Sequence, residues 1–585
     1  MNVDSKVSPQ QADAERDFFA SDRSFRRLMQ RRLPPEQRDR GMAWLQEMGR
    51  MATDVIPPLS ELANQHPPTL KAYDAWGERI DAVECHPSYR EMTRLAYGAG
   101  LGGMYHDPAL RAREGGVSHV LAFGLGYVFA QAEQGLYCPI CMTEGAARLV
   151  AAFGDEALKA RYLPGLTSRD PETLLQGAMF LTEKQGGSDV GANLATARQV
   201  GDHWELFGDK WFCSNAGEAG VMMVLARPEG APSGTRGLGL FLMPSTWVDG
   251  SANRYRINRL KDKLGTRSMP SAEISLEGAR AFAVGDLGRG FAYMTEMLNL
   301  SRTYNAVASV ALMRRALYEC LGYAQERAAF GHLIEAYPMV RRQLVEMTLE
   351  QEASMALVWE TIALLDRQDD GLATLEQRKL LRLLTPQIKY HTARQAVDFA
   401  SQACEFLGGN GYVETFITPR LLRDAQVLPI WEGTTNILVL DVVRCLEKEG
   451  AHEVLFESLR ARLGALRQPE SAPYRGQALA ALDRLVQGFQ QLASAGQERT
   501  LFAKEWSDWA IRVYQATLLL ESAEEDVALG EGRMLAIAAK FIRRHFERQA
   551  PGMGGWGADL SDHTLFEAIA RHAPLTPDQA VRALA

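Results

Sequence analysis

Cysteine is scarce: seven among 585 residues, an odd number. That excludes a dense disulfide frame and fits reduced thiols. No apolar run approaches the roughly 18 residues that would cross a bilayer, so no membrane span is expected. The first residues, MNVDSKVSPQQADAERDFF, lack the apolar stretch of a secretory signal, and their acids argue against a transit peptide. A cytoplasmic location is therefore expected. Positive charge is also lacking. The formal net charge is -8, which supplies no global field for nucleic acid. G-x-x-x-x-G-K-[ST], H-E-x-x-H and G-x-S-x-G are all absent, which removes the P-loop, zinc-protease and hydrolase signals. No internal repeat occurs, and no set of ligands for a metal is expected.

What is present is ordinary for a folded chain, with 46% apolar and 23% charged residues. The length implies two to four domains. Up to about Leu174 the apolar spacing is mostly helical. Within it Arg23, Arg26, Arg27, Arg31, Arg32, Arg38 and Arg40 crowd around Pro34 and Pro35, as a solvated helix face or a docking surface. From about Leu175 to Gly285, Gly, Thr, Val and Trp rise. Turn signals at Gly186-Gly187, Gly201-Asp202, Pro228-Glu229-Gly230 and Ser233-Gly234 separate strand-like runs at Trp204 to Phe207, Trp211 to Ser214, Val221 to Ala226 and Leu238 to Met243. After Gly290 the helical period returns, with Met355, Val358, Ile362 and Leu365 on one stripe. Past Gly450 the chain is Ala-, Leu- and Gln-rich and reads as helical to about Gln549.

The expected class is therefore α+β multidomain. It comprises an N-terminal helical domain (1–174), a middle antiparallel β-sandwich or barrel domain (175–285), a C-terminal four-helix bundle (286–450) and an additional helical extension (451–585).

Two motifs carry little. Pro551 to Gly557 contains a G-x-G-x-x-G match, but it follows the polar run Arg543 to Gln549 rather than a strand, and reads as a loop. Cys138-Pro139-Ile140-Cys141 has metal-like spacing without a second ligand pair, and reads as buried thiols.

Five other segments say more. Leu181-Thr182-Glu183-Lys184-Gln185-Gly186-Gly187-Ser188-Asp189-Val190 is a Gly-rich turn with a hydroxyl at each end, able to offer donors to a polar ring or a phosphate. Gly208 to Asn215 is an aromatic-rich strand. Glu326-Arg327-Ala328-Ala329-Phe330-Gly331 follows a helix. Glu405 to Tyr412 holds Gly408-Gly409. Arg423-Asp424 precedes Ile430-Trp431-Glu432-Gly433-Thr434-Thr435-Asn436. Together, in this order across an α–β–α frame, they resemble the acyl-CoA dehydrogenase superfamily over roughly Pro139 to Glu449. Cys138-Pro-Ile, Met179 to Val190, Lys210-Trp-Phe, Arg259 to Ser268 and Ile430 to Gly433 look most like its adaptive-response (AidB-type) branch. That branch carries a helical extension where Ala451 to Ala585 stands here.

The resemblance implies an FAD-dependent oxidoreductase of fatty-acid metabolism (β-oxidation). It would remove two hydrogens across the α and β carbons of an acyl-CoA, with a carboxylate taking the α proton as flavin N5 accepts the β hydride. Glu432 matches the family's base. Some members place the base on an earlier helix, but the matching Ser301 cannot serve. Thr182 and Ser188 match flavin-ring and substrate-side hydroxyls. Phe212 stands where many members have Trp, and Ser214 where Thr is common. Arg327 and Phe330 match residues reaching a neighbouring subunit's FAD, which implies a homodimer or homotetramer. Gly408, Gly409 and Thr434 fall on the cofactor side, and Arg302 and Asn299 on the substrate side. Ala329, Glu405, Asn299 and Asn436 depart from the common Thr, Gln, Asp and Gln, which leaves flavin contacts altered and acyl choice open.

An electron-transfer flavoprotein is the implied acceptor; oxygen is a third possibility. The alternative is an alkylation-response flavoprotein that binds duplex DNA through its C-terminal region. Against it, residues from Ala451 onward hold 15 Lys and Arg against 17 Asp and Glu. Arg543, Arg544 and Arg548 remain as a local basic patch.

Overall fold

A computed structural model describes residues 17–547 and 562–584. The chain divides into two compact units, Met1–Tyr304 and Asn305–Ala585.

The first unit opens with helices α1 (Arg23–Arg32), α2 (Pro35–Arg50), α3 (Ile56–Gln65), α4 (Pro87–Gly98), α5 (Pro108–Glu114), α6 (His119–Ala130), α7 (Tyr137–Phe153) and α8 (Glu156–Leu166). Asp22 caps α1 by accepting from the Phe25 amide at 3.0 Å, and its other oxygen accepts from the Tyr127 hydroxyl at 2.7 Å. One carboxylate thus fixes a helix start and its packing on α6. Nearly every residue of α6 is buried, as its all-round apolar sequence requires. The region is not purely helical. β1 (Thr69–Tyr73) and β2 (Arg79–Glu84) form an antiparallel hairpin. Its outer residues alternate between half-buried and exposed, so no strong apolar alternation announced it.

The middle sheet comprises β3 (Gly177–Phe180), β4 (Thr196–Val200), β5 (His203–Ser214), β6 (Val221–Pro228), β7 (Gly239–Pro244), β8 (Tyr255–Leu260) and β9 (Ser271–Ala283). The order β6-β4-β5-β9-β7 returns to β6, which also pairs β7, so five strands close on themselves. β3 adds to β6, and β8 to β9. Most pairings are antiparallel, but β3 and β4 both run parallel to β6. The runs at Trp204 and Trp211, separate in sequence, are one strand: β5 carries register shifts near Leu206/Phe207 and Lys210/Cys213. Between them Gly208 has φ +124°, and a side chain there would meet Ala195 Cα at 2.9 Å. A bulge, not a turn, explains this glycine. The Cys138-x-x-Cys141 pair lies on α7, with Cys141 buried, Cys138 half-buried and both free.

α9 (Gly290–Glu326) contributes its first turns to this unit and the rest to the second. A short hairpin, β10 (Ala328–Ala329) with β11 (His332–Leu333), leads to α10 (Pro338–Asp369) and α11 (Leu375–Phe406). Met355, Val358, Ile362 and Leu365 are all buried on α10, as their spacing predicts. α12 (Ile417–Ala425), α13 (Thr435–Glu449), α14 (Ala451–Ala465), α15 (Ala472–Ser494), α16 (Arg499–Ala528), α17 (Arg533–Phe546), α18 (His563–Arg571) and α19 (Pro577–Leu584) complete it. α11 packs on α10, α12, α13 and α14, while α16 packs on α10, α13, α15 and α17. The glycine-rich Pro551 to Gly557 lies outside the described residues. Among those described, no helix is long and apolar enough to cross a membrane, and no cluster of three or more His, Cys, Asp or Glu is placed to hold a metal.

Candidate active site

In the first unit the Thr182–Val190 turn is held from beneath by a buried ion pair. Lys210, without exposed surface, reaches Glu183 at 2.8 Å and donates to the Leu225 carbonyl at 2.8 Å. Glu183 also accepts from the Leu194 and Ala195 amides at 2.6 and 3.1 Å. Burial opposes ionisation of both groups, but the Lys210 ammonium and the two amides together hold Glu183 below the usual carboxylate range. The Trp211 amide donates to the Thr182 carbonyl at 2.9 Å, which ties the turn to strand β5. A side chain on Gly187 would come 2.6 Å from Thr182 Oγ1. The close approach explains that glycine.

Above this base the predicted residues face outward. Thr182 is half-buried, Ser188 exposed and Phe212 60% exposed, a large ring uncovered by the rest of the unit. Lys261 lies 3.6 Å from the Trp211 ring and 4.9 Å from that of Phe212. Ser214 is half-buried, with its hydroxyl 3.4 Å from that of Ser271. On α9, Arg302 donates to Asn299 Oδ1 at 3.1 Å, so the two substrate-side candidates touch each other. Ser301 is buried and accepts from the Cys141 thiol at 3.3 Å.

In the second unit Glu432 adopts φ +57° and Gly433 +105°. A left-handed non-glycine costs on the order of 1 kcal/mol or more and persists only where its surroundings fix it. Trp431 N donates to Val427 O at 3.2 Å before the turn, and Lys389 Nζ to Gly433 O at 2.7 Å after it. α13 starts at once, with Thr434 at its N-cap position. An open cleft of about 370 Å3 runs beside the turn, lined by Arg394, Gln426, Pro429, Ile430, Thr434, Thr435 and Asn436. Arg423 is engaged by Glu414 in a two-pronged pair.

Elsewhere in this unit Arg327 is exposed and its guanidinium bonds to no other described residue. Phe330 is 94% exposed at φ +51°. Gly408 and Gly409 are exposed, and side chains there would meet nothing within 4 Å. Taken unit by unit, the hydroxyls and uncovered aromatic of the first suit the flat ring of a dinucleotide, and the exposed guanidinium of the second suits a diphosphate. Glu405 is exposed, and the Ala329 carbonyl accepts from the Tyr337 hydroxyl at 2.7 Å.

Sequence reasoning missed Lys389 and gave Lys210 and Glu183 no role. A lysine at a helix position whose i±4 neighbours are Thr385 and Ala393 is the available signal, since both belong to the buried face of α11.

Family models match most of the chain between residues 9 and 446. Residues 9–172 match the adaptive response protein AidB N-terminal domain, 178–279 the acyl-CoA dehydrogenase middle domain, and 288–446 the acyl-CoA dehydrogenase C-terminal domain. The chain belongs to the acyl-CoA dehydrogenase family, a family of oxidoreductases whose cofactor is FAD.

Among its relatives, acyl-CoA dehydrogenase family member 11 of Caenorhabditis elegans is 33% identical, over 89% of this chain and 86% of that protein. AidB of Escherichia coli (strain K12) is 36% identical, over 68% of this chain and 73% of that protein. The solved structure of C. elegans ACDH-11 in complex with C11-CoA has a TM-score of 0.85 and 30% identity, covering 91% of this chain and 92% of that one.

Proposed function

We propose that this chain dehydrogenates an acyl-CoA thioester between its α and β carbons, with Glu432 as the base. The observation that carries the reading is the Trp431-Glu432-Gly433 turn. A carboxylate sits on a left-handed, glycine-hinged bend fastened at both ends, beside an open cleft. Such rigidity suits a group that must meet one C–H bond in one orientation. FAD, when bound, supplies the two-electron acceptor for the β hydride. The chain's own part is to hold and polarise. The Glu432 carboxylate takes the α proton, and the Glu432 amide donates to the thioester oxygen, where negative charge gathers as that proton leaves. Thr182, Ser188, Phe212, Ser214, Gly408, Gly409 and Thr434 orient the cofactor, Arg327 and Phe330 reach it from a neighbouring copy, and Ser188, Arg302 and Asn299 meet the substrate.

The C11-CoA complex of ACDH-11 supports an acyl-CoA as ligand. The exposed rings of Phe330 and Tyr412, 94% and 90% uncovered, support their burial against a second copy in a dimer or tetramer. An electron-transfer flavoprotein is the acceptor we expect, in a cytoplasmic pathway of acyl degradation.

The experiment is Glu432→Gln in the flavin-loaded protein, assayed anaerobically with a panel of saturated acyl-CoAs. Turnover should fall by about three orders of magnitude, the upper part of what a general base contributes. Undiminished turnover would exclude Glu432 as the base.

The DNA-binding reading finds no specific observation in its favour. Arg544 pairs with Glu346 at 2.9 Å and Glu350 at 3.3 Å, and Arg543 lies over the Tyr474 ring at 5.6 Å. The third arginine, Arg548, lies outside the described residues.

A further inference from the structure

Lysine is among the residues least often buried whole, because removing an ammonium from water is costly. Lys389 has no exposed surface. It sits mid-way along α11, and its ammonium donates to the carbonyl of Gly433 at 2.7 Å, one residue beyond Glu432. A backbone carbonyl at a helix entrance can be satisfied by water or by a small hydroxyl, so a lysine is more than local bonding requires. What it adds is reach and direction: one strong, charge-assisted bond from a neighbouring helix onto a turn that would otherwise relax.

That turn needs such a bond. Glu432 and Gly433 both lie at positive φ. The segment before them is tied by Ile430 N to Val427 O at 2.9 Å, by Trp431 N to the same oxygen at 3.2 Å, and by Asn305 Nδ2 to Leu428 O at 3.0 Å. After Glu432, the Lys389 bond is the side-chain tie on the Gly433 carbonyl. The carboxylate therefore stands between a backbone anchor and a lysine anchor.

We infer that Lys389 is a positioning residue for Glu432: its bond to the Gly433 carbonyl holds the turn in the conformation from which the carboxylate can take a proton. The inference rests on the reading of Glu432 as base. On this inference Lys389 acts through the peptide next to the carboxylate.

The test uses full-length, flavin-loaded Lys389→Met, which keeps length and apolar bulk but cannot donate. With a saturated acyl-CoA, kcat should drop about 30-fold with KM within about twofold, the signature of a misplaced group rather than lost binding. Backbone amides of 430–435 should exchange with deuterium about tenfold faster, while those of α10 and α16 keep their protection. Lys389→Gln, a shorter neutral donor, should recover part of both. Adding Lys389→Met to Glu432→Gln should cost nothing further, because the two act as one unit.

Unchanged kcat and exchange in folded Lys389→Met overturn the proposal. So does a loss confined to KM, or loss of protection spread evenly through the bundle. Failure of both the Met and Gln variants to fold would make Lys389 a core residue and also overturn it. A dead Glu432→Gln beside an unimpaired Lys389→Met defeats this inference alone, whereas an active Glu432→Gln defeats the reading beneath it.

Discussion

On the β-domain wall Phe212 and Ser188 face outward, and on the β10–β11 hairpin Arg327 bonds to no described neighbour. The seam between the bundle helices and the last six helices is the reverse. There Glu350 receives Arg512 at 2.6 Å, His545 at 2.7 Å and Gln395 at 3.0 Å. Glu352 pairs with Arg533 at 2.5 Å, and Arg462 joins Glu360 at 2.7 Å to Glu521 at 2.6 Å. The Tyr390 hydroxyl bonds Ser507 and Asp508, both at 2.9 Å. Polar groups that serve the fold are satisfied inside the fold. Those left open are the ones whose proposed partner is a ligand or another copy.

The contrast can be broken most forcefully at Lys210. Its ion pair with Glu183 lies under the wall but belongs to the satisfied class, so Lys210→Met should lower unfolding free energy by about 3–5 kcal/mol, the usual cost of leaving one buried charge without its partner. Chemical denaturation measures it. A variant of unchanged stability that had lost only flavin would place Lys210 with the open groups instead.

Arg327→Gln should behave oppositely. Because the guanidinium contacts nothing described, the thermal midpoint should stay put while the FAD dissociation constant rises about 10- to 100-fold, the loss of one or two charge-assisted bonds. Flavin titration of the apoprotein reads it.

The smallest expected effect is at Lys540, buried on α17. Burial, helped by Arg543 and opposed by Asp562, pulls its ammonium down to about 7 from 10.5. Between those values the unfolded chain holds a proton that the folded chain lacks, so stability rises with pH, by up to roughly 1 kcal/mol from pH 7 to 8. Lys540→Met should remove that slope and raise stability at pH 7. An unaltered slope would show that the titration lies elsewhere.

Much of this was legible in the residues. The shift from a 3.6-residue to a two-residue period near Leu175 and back near Gly290 marks the helical, sheet and helical regions. The strings around Thr182, Glu432 and Gly408 carried the family. What stayed hidden had physical reasons. The β1–β2 hairpin lies among helices, and Val83 is its one buried residue. The single strand His203–Ser214 looked like two because a bulge and a turn use the same glycine. Lys389 and Lys210 drew no structural role from the sequence, because a lysine is seldom buried whole. The seam joins Glu350 to Arg512 and Glu352 to Arg533 across more than 150 positions, a pairing that no local spacing encodes.

Glu350, Glu352 and Glu360, each under a tenth exposed, are answered by arginines that all come from beyond Gly450. Severing the gene at that glycine would strand three carboxylates on a freshly bared apolar face. The trailing helices are thus no detachable graft on a self-sufficient enzyme. Whatever they do besides, they are counter-ions to the core.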